Sequence, residues 1–522
     1  MSWFRYTDHR ERSALATLGN DKTPDSSPNW NPSRPFGWDL PALPSEPVKV
    51  KSRPWPLKRP SVPRPNAKLD LAPPKPLSPT PAASAQPKIS AATAVQPFAI
   101  IATLSFLFLR FSFLHDFIAS HIGFNTYLLT LTGLLAYFAL LRSSVWRAAS
   151  RSKLFWAWVG FTTLLAIGVP FSSWPGGSVS IVEPFIKDNF ICLPLIAGVF
   201  GSWERLRRLF LTIAWAGVVV VALTMIAGRS DLNGRLNLFF TTTIGNSNDL
   251  ATHLIFVTIF MLIAAFSLQR NMLVRLLFIA SSLVALYEIF RTASRGAFLA
   301  LLVSAVIAFF TGNMKSRFSV LFLAPIVGLA IITMMPESTV TRLLTFSGQG
   351  SEEARESYEG RRMLLQRSID ITLEHPILGV GAGQFSSYEG GESDAQGHHH
   401  SHWMETHNSF TEISSEDGIP ALLCAIWGLA GSLLLFWRLS RNAKKNPALQ
   451  RFAVAGYVLV AGTAGLCTAI FFVNFAYKLY LIVLTGIAIA TDRAMSSVEA
   501  ADSGQSRQVA MAGVTANADR LR

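Results

Sequence analysis

The sequence has little cysteine and little charge. Its 522 residues include three cysteines, Cys192, Cys424 and Cys467, and all three lie in apolar segments. Thiols at such positions give neither a disulfide framework nor the ligand spacing of a zinc site. Charged side chains make up only 15% of the chain, whereas half of its residues are hydrophobic. These averages combine two parts of very different composition.

The first 97 residues lack any apolar run that could serve as a signal-peptide core or a membrane span. They hold 19 of the 28 prolines, and 14 Lys and Arg against 7 Asp and Glu. Such a segment cannot bury enough apolar surface to offset its chain entropy. We therefore predict a disordered, basic cytoplasmic tail over residues 1–97, and a second disordered tail over the small, polar residues 491–522.

From Phe98 onward, apolar runs of about 17–20 residues recur, which is the length needed to cross a hydrocarbon core roughly 30 Å thick. This pattern predicts an all-α polytopic membrane domain over residues 98–490, with about twelve transmembrane helices. The predicted spans are 98–114, 125–141, 154–170, 186–201, 209–227, 250–267, 273–289, 296–310, 318–335, 419–437, 452–470 and 474–490.

The distribution of positive charge predicts the orientation of these spans. Five short connections on one face hold 16 Lys and Arg, whereas the short connections on the other face hold four. Because positive loops are retained in the cytoplasm, both termini are predicted to be cytoplasmic. The long segment 336–418, between the ninth and tenth spans, then forms a periplasmic loop. The +14 net charge is accounted for by this asymmetry, so we predict no nucleic-acid partner.

Arginines nevertheless collect on the predicted external face, where the orientation rule disfavours them. They are Arg229, Arg235, Arg291, Arg295, Arg361 and Arg362. Arg295 opens a helix, and an arginine beside free helix N–H groups forms a strong site for an anion such as a pyrophosphate. The alternative is that these side chains only reach phospholipid phosphates. No acidic residue lies in the middle of a predicted span, which disfavours the ion relay of a transporter.

His407 is the candidate general base. It lies in THNSFTEISSEDGIP, where Thr406, Asn408 or Ser409 could cap the helix that leads into the tenth span. The positive end of a helix favours a neutral imidazole, which can accept a proton from a hydroxyl. The alternative is a capping histidine without a chemical role. Glu412 has the spacing of a capping box with Ser409, and it is also an alternative base.

The neighbouring histidines at 398–402 invite a metal-site interpretation. They are adjacent in sequence rather than spaced along one helical face, and no cysteine or well-placed carboxylate completes a ligand set. We therefore predict a solvated loop here, with no metal and no other cofactor.

Four strings in order resemble the O-antigen ligase and polymerase superfamily. They are RLNLFF with GNSNDLA, SRGAFLALLV, HPILGVGAGQF and HNSFTEISSEDGIP, and the resemblance covers about residues 98–490. It implies a membrane glycosyltransferase that takes a glycan from an undecaprenyl-pyrophosphate carrier without a metal ion. It assigns the base to His407 and the pyrophosphate to Arg295 and Arg235, with Arg362 as a further match.

We therefore predict transfer of a glycan to an acceptor hydroxyl, on lipid A core or a growing polysaccharide, at the periplasmic face of a bacterial inner membrane. The expected partners are the lipid-linked donor, the acceptor and the bilayer. Attack opposite the leaving pyrophosphate would invert the anomeric centre. Arg291 is a further candidate for pyrophosphate binding, and Asn408, Asn248 and Glu412 are candidate supporting residues. A transporter of a small anion such as bicarbonate is the alternative.

Overall fold

The structure is a computed structural model that describes residues 97–231, 234–333, 352–395 and 404–520. The predicted tail at 1–97, apart from Pro97, and the histidine run at 398–402 lie outside the described residues. Within them the chain is helical except for its turns and one two-stranded hairpin.

The helices before the hairpin are mostly long and apolar, with breaks between some of them. They are α1 (Pro97–Ser112), α2 (Leu114–Ile122), α3 (Leu128–Tyr137), α4 (Ser143–Ser150), α5 (Lys153–Gly168), α6 (Pro175–Pro184), α7 (Cys192–Val199) and α8 (Trp203–Ala227). Strands β1 (Arg229–Ser230) and β2 (Leu236–Asn237) then pair antiparallel, with Arg229 opposite Asn237.

The helices after the hairpin complete the bundle and form the large loop. They are α9 (Ser247–Ile263), α10 (Met272–Arg291), α11 (Arg295–Thr311), α12 (Met314–Phe318), α13 (Ala324–Thr333), α14 (Glu352–Glu374), α15 (Phe385–Ala395), α16 (Ser409–Lys445), α17 (Ala453–Ala469) and α18 (Leu479–Arg520).

The prediction of an all-α polytopic membrane protein is confirmed in its coarse form. Among the described residues, eight helices are long and apolar enough to cross a membrane, and the number is ten if each of two bent pairs is one span. The two other predicted spans also fall on helix. Segment 296–310 corresponds to α11, and segment 186–201 falls on a π-turn, Phe185–Phe190, followed by α7. The count of twelve and the orientation remain predictions.

Over residues 491–520 of the predicted C-terminal tail, the structure has helix rather than disorder. Helix α18 continues from the last apolar segment as far as Arg520. Its extension is rich in alanine, the residue with the highest helix propensity, so a helix already begun by the apolar segment can continue through it. Low hydrophobicity alone misled the sequence interpretation.

Small residues allow close packing of the helices near the arginines. A Cβ on Gly296 of α11 would lie 2.7 Å from Phe472, just beyond α17. Further along the same pair, a Cβ on Gly465 would meet the Ser304 hydroxyl and lie 2.8 Å from the Ala300 carbonyl oxygen. Close approach of backbones is the usual role of small residues between membrane helices. The arginine at the start of α11 is thereby fixed against α17.

A kink at Gly418 divides α16 and joins it to the large loop. Gly418 has φ 85° and ψ 170°, and Pro420 follows it. Since proline has no N–H, the Glu416 carbonyl loses its helical partner. The N–H of Gly381 bonds that carbonyl at 2.8 Å, and the N–H of Val380 bonds the Ser415 carbonyl at 2.9 Å. We call residues 378–383 the glycine turn.

The glycine turn and the kink tolerate no side chain where they meet. A Cβ on Gly379, which has φ 64°, would lie 2.2 Å from the Glu416 carbonyl carbon, and one on Gly418 would lie 2.2 Å from the Ile377 carbonyl oxygen. In return, the Ile419 N–H bonds the Pro376 carbonyl at 2.8 Å. Two strings about 40 residues apart, HPILGVGAGQF and EDGIP, therefore form one structural unit.

Gly379→Ala should separate the glycine turn from the kink. We expect the free energy of unfolding to fall by roughly 2–4 kcal/mol, because an alanine is strained at this φ and its Cβ clashes with the backbone. The measurement is the melting temperature of the detergent-purified protein. Gly360→Ala is the control, since Gly360 lies within α14 with open space around it. An alanine there should raise the melting temperature slightly. An unchanged melting temperature for Gly379→Ala would contradict the packing.

Candidate active site

Arg235 connects the hairpin to two helix ends. Its Nη2 donates to Asn248 Oδ1 at 2.7 Å, and its Nε donates to the Thr292 carbonyl at 2.9 Å. Its own N–H donates to Asp231 Oδ1 at 2.9 Å. Asn248 lies in the first turn of α9, which Asn246 caps. The structure thus brings together Arg235 and Asn248, two of the predicted site residues.

The Thr292 carbonyl, which accepts the hydrogen bond from Arg235 Nε, lies in the turn between Arg291 and Arg295. Ala293 has φ 49°, and the Ser294 hydroxyl caps α11 by accepting the Ala297 N–H at 3.3 Å. Arg295 is the first residue of α11 and is half-buried. Arg291 lies instead over the Tyr287 ring, with 5.9 Å from its Cζ to the ring centroid. Arg295 is therefore the better placed of the two for an anion at the helix start.

His407 immediately precedes the helix cap of α16. It has φ 51°, and the side chain of Asn408 accepts the N–H groups of Phe410 and Thr411 at 2.9 and 3.3 Å. Asn408 is therefore the cap among the three candidates. The predicted capping box is wrong, because Glu412 is buried and accepts the Ala476 N–H at 3.2 Å.

The surroundings of His407 favour its neutral form. Burial, reinforced by the positive charge of Arg361, lowers the pKa of His407 to about 4. An imidazole with this pKa is unprotonated throughout the physiological range, as a proton acceptor must be. This lowered pKa is compatible with the role of general base, which stays a prediction for His407.

Arg361, rather than its neighbour Arg362, is the loop arginine that acts on His407. Arg361 is half-buried, whereas Arg362 is exposed on α14. The sequence contains a signal for this difference. Arg361 is in helical phase with the buried Leu364, Ser368 and Ile371, so the helical period favours it over Arg362.

Residues 473–478, between α17 and α18, hold these parts together, and sequence reasoning missed them. The Ser409 hydroxyl donates to the Val473 carbonyl at 2.6 Å and accepts the Phe475 N–H at 2.8 Å. Asn474 Nδ2 donates to the Thr406 hydroxyl at 3.3 Å. Lys478 Nζ donates to the Thr243 carbonyl at 3.2 Å, in the loop that follows β2. We call residues 472–478, which include the preceding Phe472, the linking turn.

The linking turn also contacts the arginine helix. Phe472, directly before Val473, is the residue that packs against Gly296 at the start of α11. The segment carrying His407, the helix opened by Arg295 and the loop beyond Arg235 therefore all meet one short turn. We call this end of the bundle the arginine face.

Carboxyl groups of α16 anchor the glycine turn behind His407. Glu416 accepts the Gly383 and Phe385 N–H groups at 2.7 and 3.1 Å, and Tyr477 Oη lies 2.7 Å from Glu416 and 2.6 Å from Asp417. Burial and these carboxylates raise the pKa of Tyr477 well above its usual value. The phenol therefore stays protonated and donates.

The described residues contain no group of three or more His, Cys, Asp or Glu arranged to hold a metal ion. The arginine face instead offers cations on several elements. Guanidinium groups bind phosphate oxygens through paired N–H donors. The arrangement can thus hold an anion next to a neutral imidazole.

The fold and this arrangement define a polytopic helical membrane protein with cationic groups and a neutral histidine on one face. The family model for O-antigen ligase matches residues 280–426. This match supports membership of the O-antigen ligase superfamily and confirms the resemblance. No curated protein matches the chain significantly.

The matched residues include Arg291, Arg295 and His407 but exclude Arg235 and Asn248. The assignment of the latter two depends on their hydrogen bonds. The family indicates ligase- or polymerase-type glycosyl transfer in polysaccharide biosynthesis. It gives no support to the alternative of an anion transporter.

The titration of His407 can be measured by its reaction with diethyl pyrocarbonate, which modifies only neutral imidazole. The rate, followed by mass spectrometry of the peptide, should fall only near pH 4. In Arg361→Gln the pKa should rise without reaching about 6.5, since burial is the larger cause. Arg362→Gln is the control and should titrate like the unchanged protein. A midpoint near 6.5 in the unchanged protein would contradict the burial of His407.

Proposed function

We propose that this protein transfers a glycan from an undecaprenyl-pyrophosphate carrier to an acceptor hydroxyl at the periplasmic face of the bacterial inner membrane. The observation that carries the proposal is the meeting of three segments at the linking turn. The first lies eight residues beyond Arg235, the second opens with Arg295, and the third directly follows His407. The acceptor is lipid A core or a growing polysaccharide.

The arginines would bind the pyrophosphate that leaves. Arg235 is held by Asn248 and by the Thr292 carbonyl, so its guanidinium is fixed before the donor arrives. Arg295 adds its charge at the start of α11, where backbone N–H groups also favour an anion. Fixed cations stabilise developing negative charge without reorganisation. The proposed chemistry therefore uses no metal ion.

His407 would remove the proton from the acceptor hydroxyl. As the O–H bond breaks, the acceptor oxygen forms a bond to the anomeric carbon, and the bond from that carbon to the pyrophosphate oxygen breaks. The electron pair of this bond leaves with the carrier pyrophosphate, and the proton stays on the imidazole until solvent removes it. Attack from the side opposite the leaving group inverts the anomeric centre.

His407→Ala should reduce transfer by roughly 10²–10⁴-fold, the usual contribution of a positioned general base. The assay supplies purified protein with a carrier-linked glycan and candidate acceptors, and the product is resolved by its mass. His375→Ala is the matched control, because His375 is an exposed histidine of the same loop that contacts Tyr388. Equal rates for the two variants would remove His407 from the mechanism.

Arg235→Lys tests the anion site while retaining the charge. A lysine cannot reproduce the two bonds from Nε and Nη2 to Thr292 and Asn248. We expect kcat to fall by about 10²-fold with a small change in melting temperature. Arg229→Lys, in β1 of the same hairpin, should retain activity. Full activity of Arg235→Lys would show that the guanidinium geometry is not required.

A further inference from the structure

A cavity of about 430 Å³ lies beside the arginine face and has no part in the proposed chemistry. Its walls come from α2, from the turn that precedes α3, and from the loop that follows β2. That loop begins at Leu238, three residues after Arg235, so the cavity lies at the same end of the bundle. The lining residues used here are His115, Asp116, Ala119, Phe124, Tyr127 and Thr242.

A hydrogen-bonded pair fixes the polar wall of the cavity. His115 Nε2 lies 3.2 Å from Asp116 Oδ1, and Asp116 Oδ2 accepts the Thr241 hydroxyl at 2.6 Å. Phe240, which also lines the cavity, packs edge-on against the Phe117 ring at 5.4 Å between centroids. These contacts tie α2 to the loop that follows β2, and Lys478 of the linking turn bonds Thr243 in that same loop, so the cavity and the arginine face share one support.

The lining chemistry favours a neutral, hydroxyl-rich ligand. A phosphate would face the Asp116 carboxylate, and an acyl chain would leave carboxyl, amide and hydroxyl groups without partners. A sugar ring offers hydroxyls that both donate and accept, and its C–H faces pack on aromatic rings. Phe124 and Tyr127 line the cavity with 63% and 68% of their surface exposed, so both rings are accessible for such stacking.

This segment and the active site share an uncommon backbone conformation. Within the described part of the chain, four residues other than glycine have positive φ: Phe113, Tyr127, Ala293 and His407. Ala293 lies in the turn between Arg291 and Arg295, and His407 is the candidate base. Phe113 and Tyr127 bound the segment that lines the cavity. Such conformations are costly and concentrate at functional sites.

We propose that this cavity is a saccharide subsite that binds a sugar residue remote from the bond being formed. This inference rests on the proposed function. Arg235 and Thr242 are seven residues apart, so at most about 24 Å of extended chain separates them. A glycan with one end at the anion site can span that distance with several sugar units. The bound sugar belongs either to the donor glycan or to the acceptor.

Direct binding tests the subsite independently of catalysis. The probes are fragments of one, two and three repeating units, released by mild acid from the surface polysaccharide of the source bacterium, and binding is followed by calorimetry. Ala119→Trp fills the cavity and should weaken binding by about tenfold or more, whereas Ile122→Trp, on the same helix outside the cavity, should not. Failure of the unchanged protein to bind any fragment would overturn the inference.

Two further measurements make the assignment specific. Phe124→Ala removes an exposed ring whose loss should not affect folding, and it should weaken binding as well. In the transfer assay, both cavity variants should raise one KM at unchanged kcat: that of the donor if the donor glycan occupies the cavity, or that of the acceptor otherwise. If both cavity variants transfer glycan with unchanged KM values and bind the fragments as the unchanged protein does, the assignment of the subsite is wrong.

The proposed function and the subsite can fail separately. His407→Ala should lose transfer and still bind the fragments, since His407 does not line the cavity. Fragment binding that Ala119→Trp abolishes, in a protein that transfers no glycan, would retain the subsite and reject the proposed function.

Discussion

The structure depends on the hydrogen bonds between the glycine turn and the kink of α16. Pro420 deprives the Glu416 carbonyl of its helical partner, and Gly381 supplies a replacement. Unpaired backbone groups are costly where water is excluded. Backbone N–H groups of the loop therefore supply the hydrogen-bond partners that the kinked helix lacks, and these bonds hold the loop to the helix. The Glu416 carboxylate also accepts the N–H groups of Gly383 and Phe385. The start of α16, and with it His407, takes its position from this joint.

The arginine face is assembled from segments that are distant in sequence. The linking turn bonds the start of α16 through Ser409, packs next to α11 through Phe472 and bonds the hairpin loop through Lys478. None of these segments could form the proposed site alone, because the histidine and the arginines lie on different segments. Their joint dependence on one turn explains why the site can be rigid although much of it lies in loops.

The sequence predicts the apolar helices well because span length and hydrophobicity act locally. The helix start after His407 was also predictable from cap residues. Asn248 was indicated only by the family resemblance, and its hydrogen bond to Arg235 was not predicted. Glu412 was misassigned because a capping box and a tertiary bond to Ala476 have the same local pattern. The linking turn carries no signal at all, since its role depends on contacts with residues more than 60 positions away.

Arg361 shows how far periodicity can refine a motif. The family resemblance pointed to Arg362, and only the phase of α14 distinguishes this exposed arginine from its half-buried neighbour Arg361. Conversely, no periodicity distinguishes the continuation of α18 past residue 490 from a disordered tail. There the decisive factor is propagation from a preceding helix, which costs far less than starting a new one.

The charges around His407 couple its two proposed tasks. Burial and Arg361 both disfavour the imidazolium, so the empty site keeps the base neutral. A bound pyrophosphate would offset positive charge on the arginine face and so make the imidazolium less unfavourable. Proton transfer to His407 then becomes easier when the donor is bound than when it is absent. The acceptor hydroxyl would therefore be deprotonated mainly when a donor glycan is in place for it to attack. In the proposed mechanism the cations that bind the leaving group thus also restrict when the base can act.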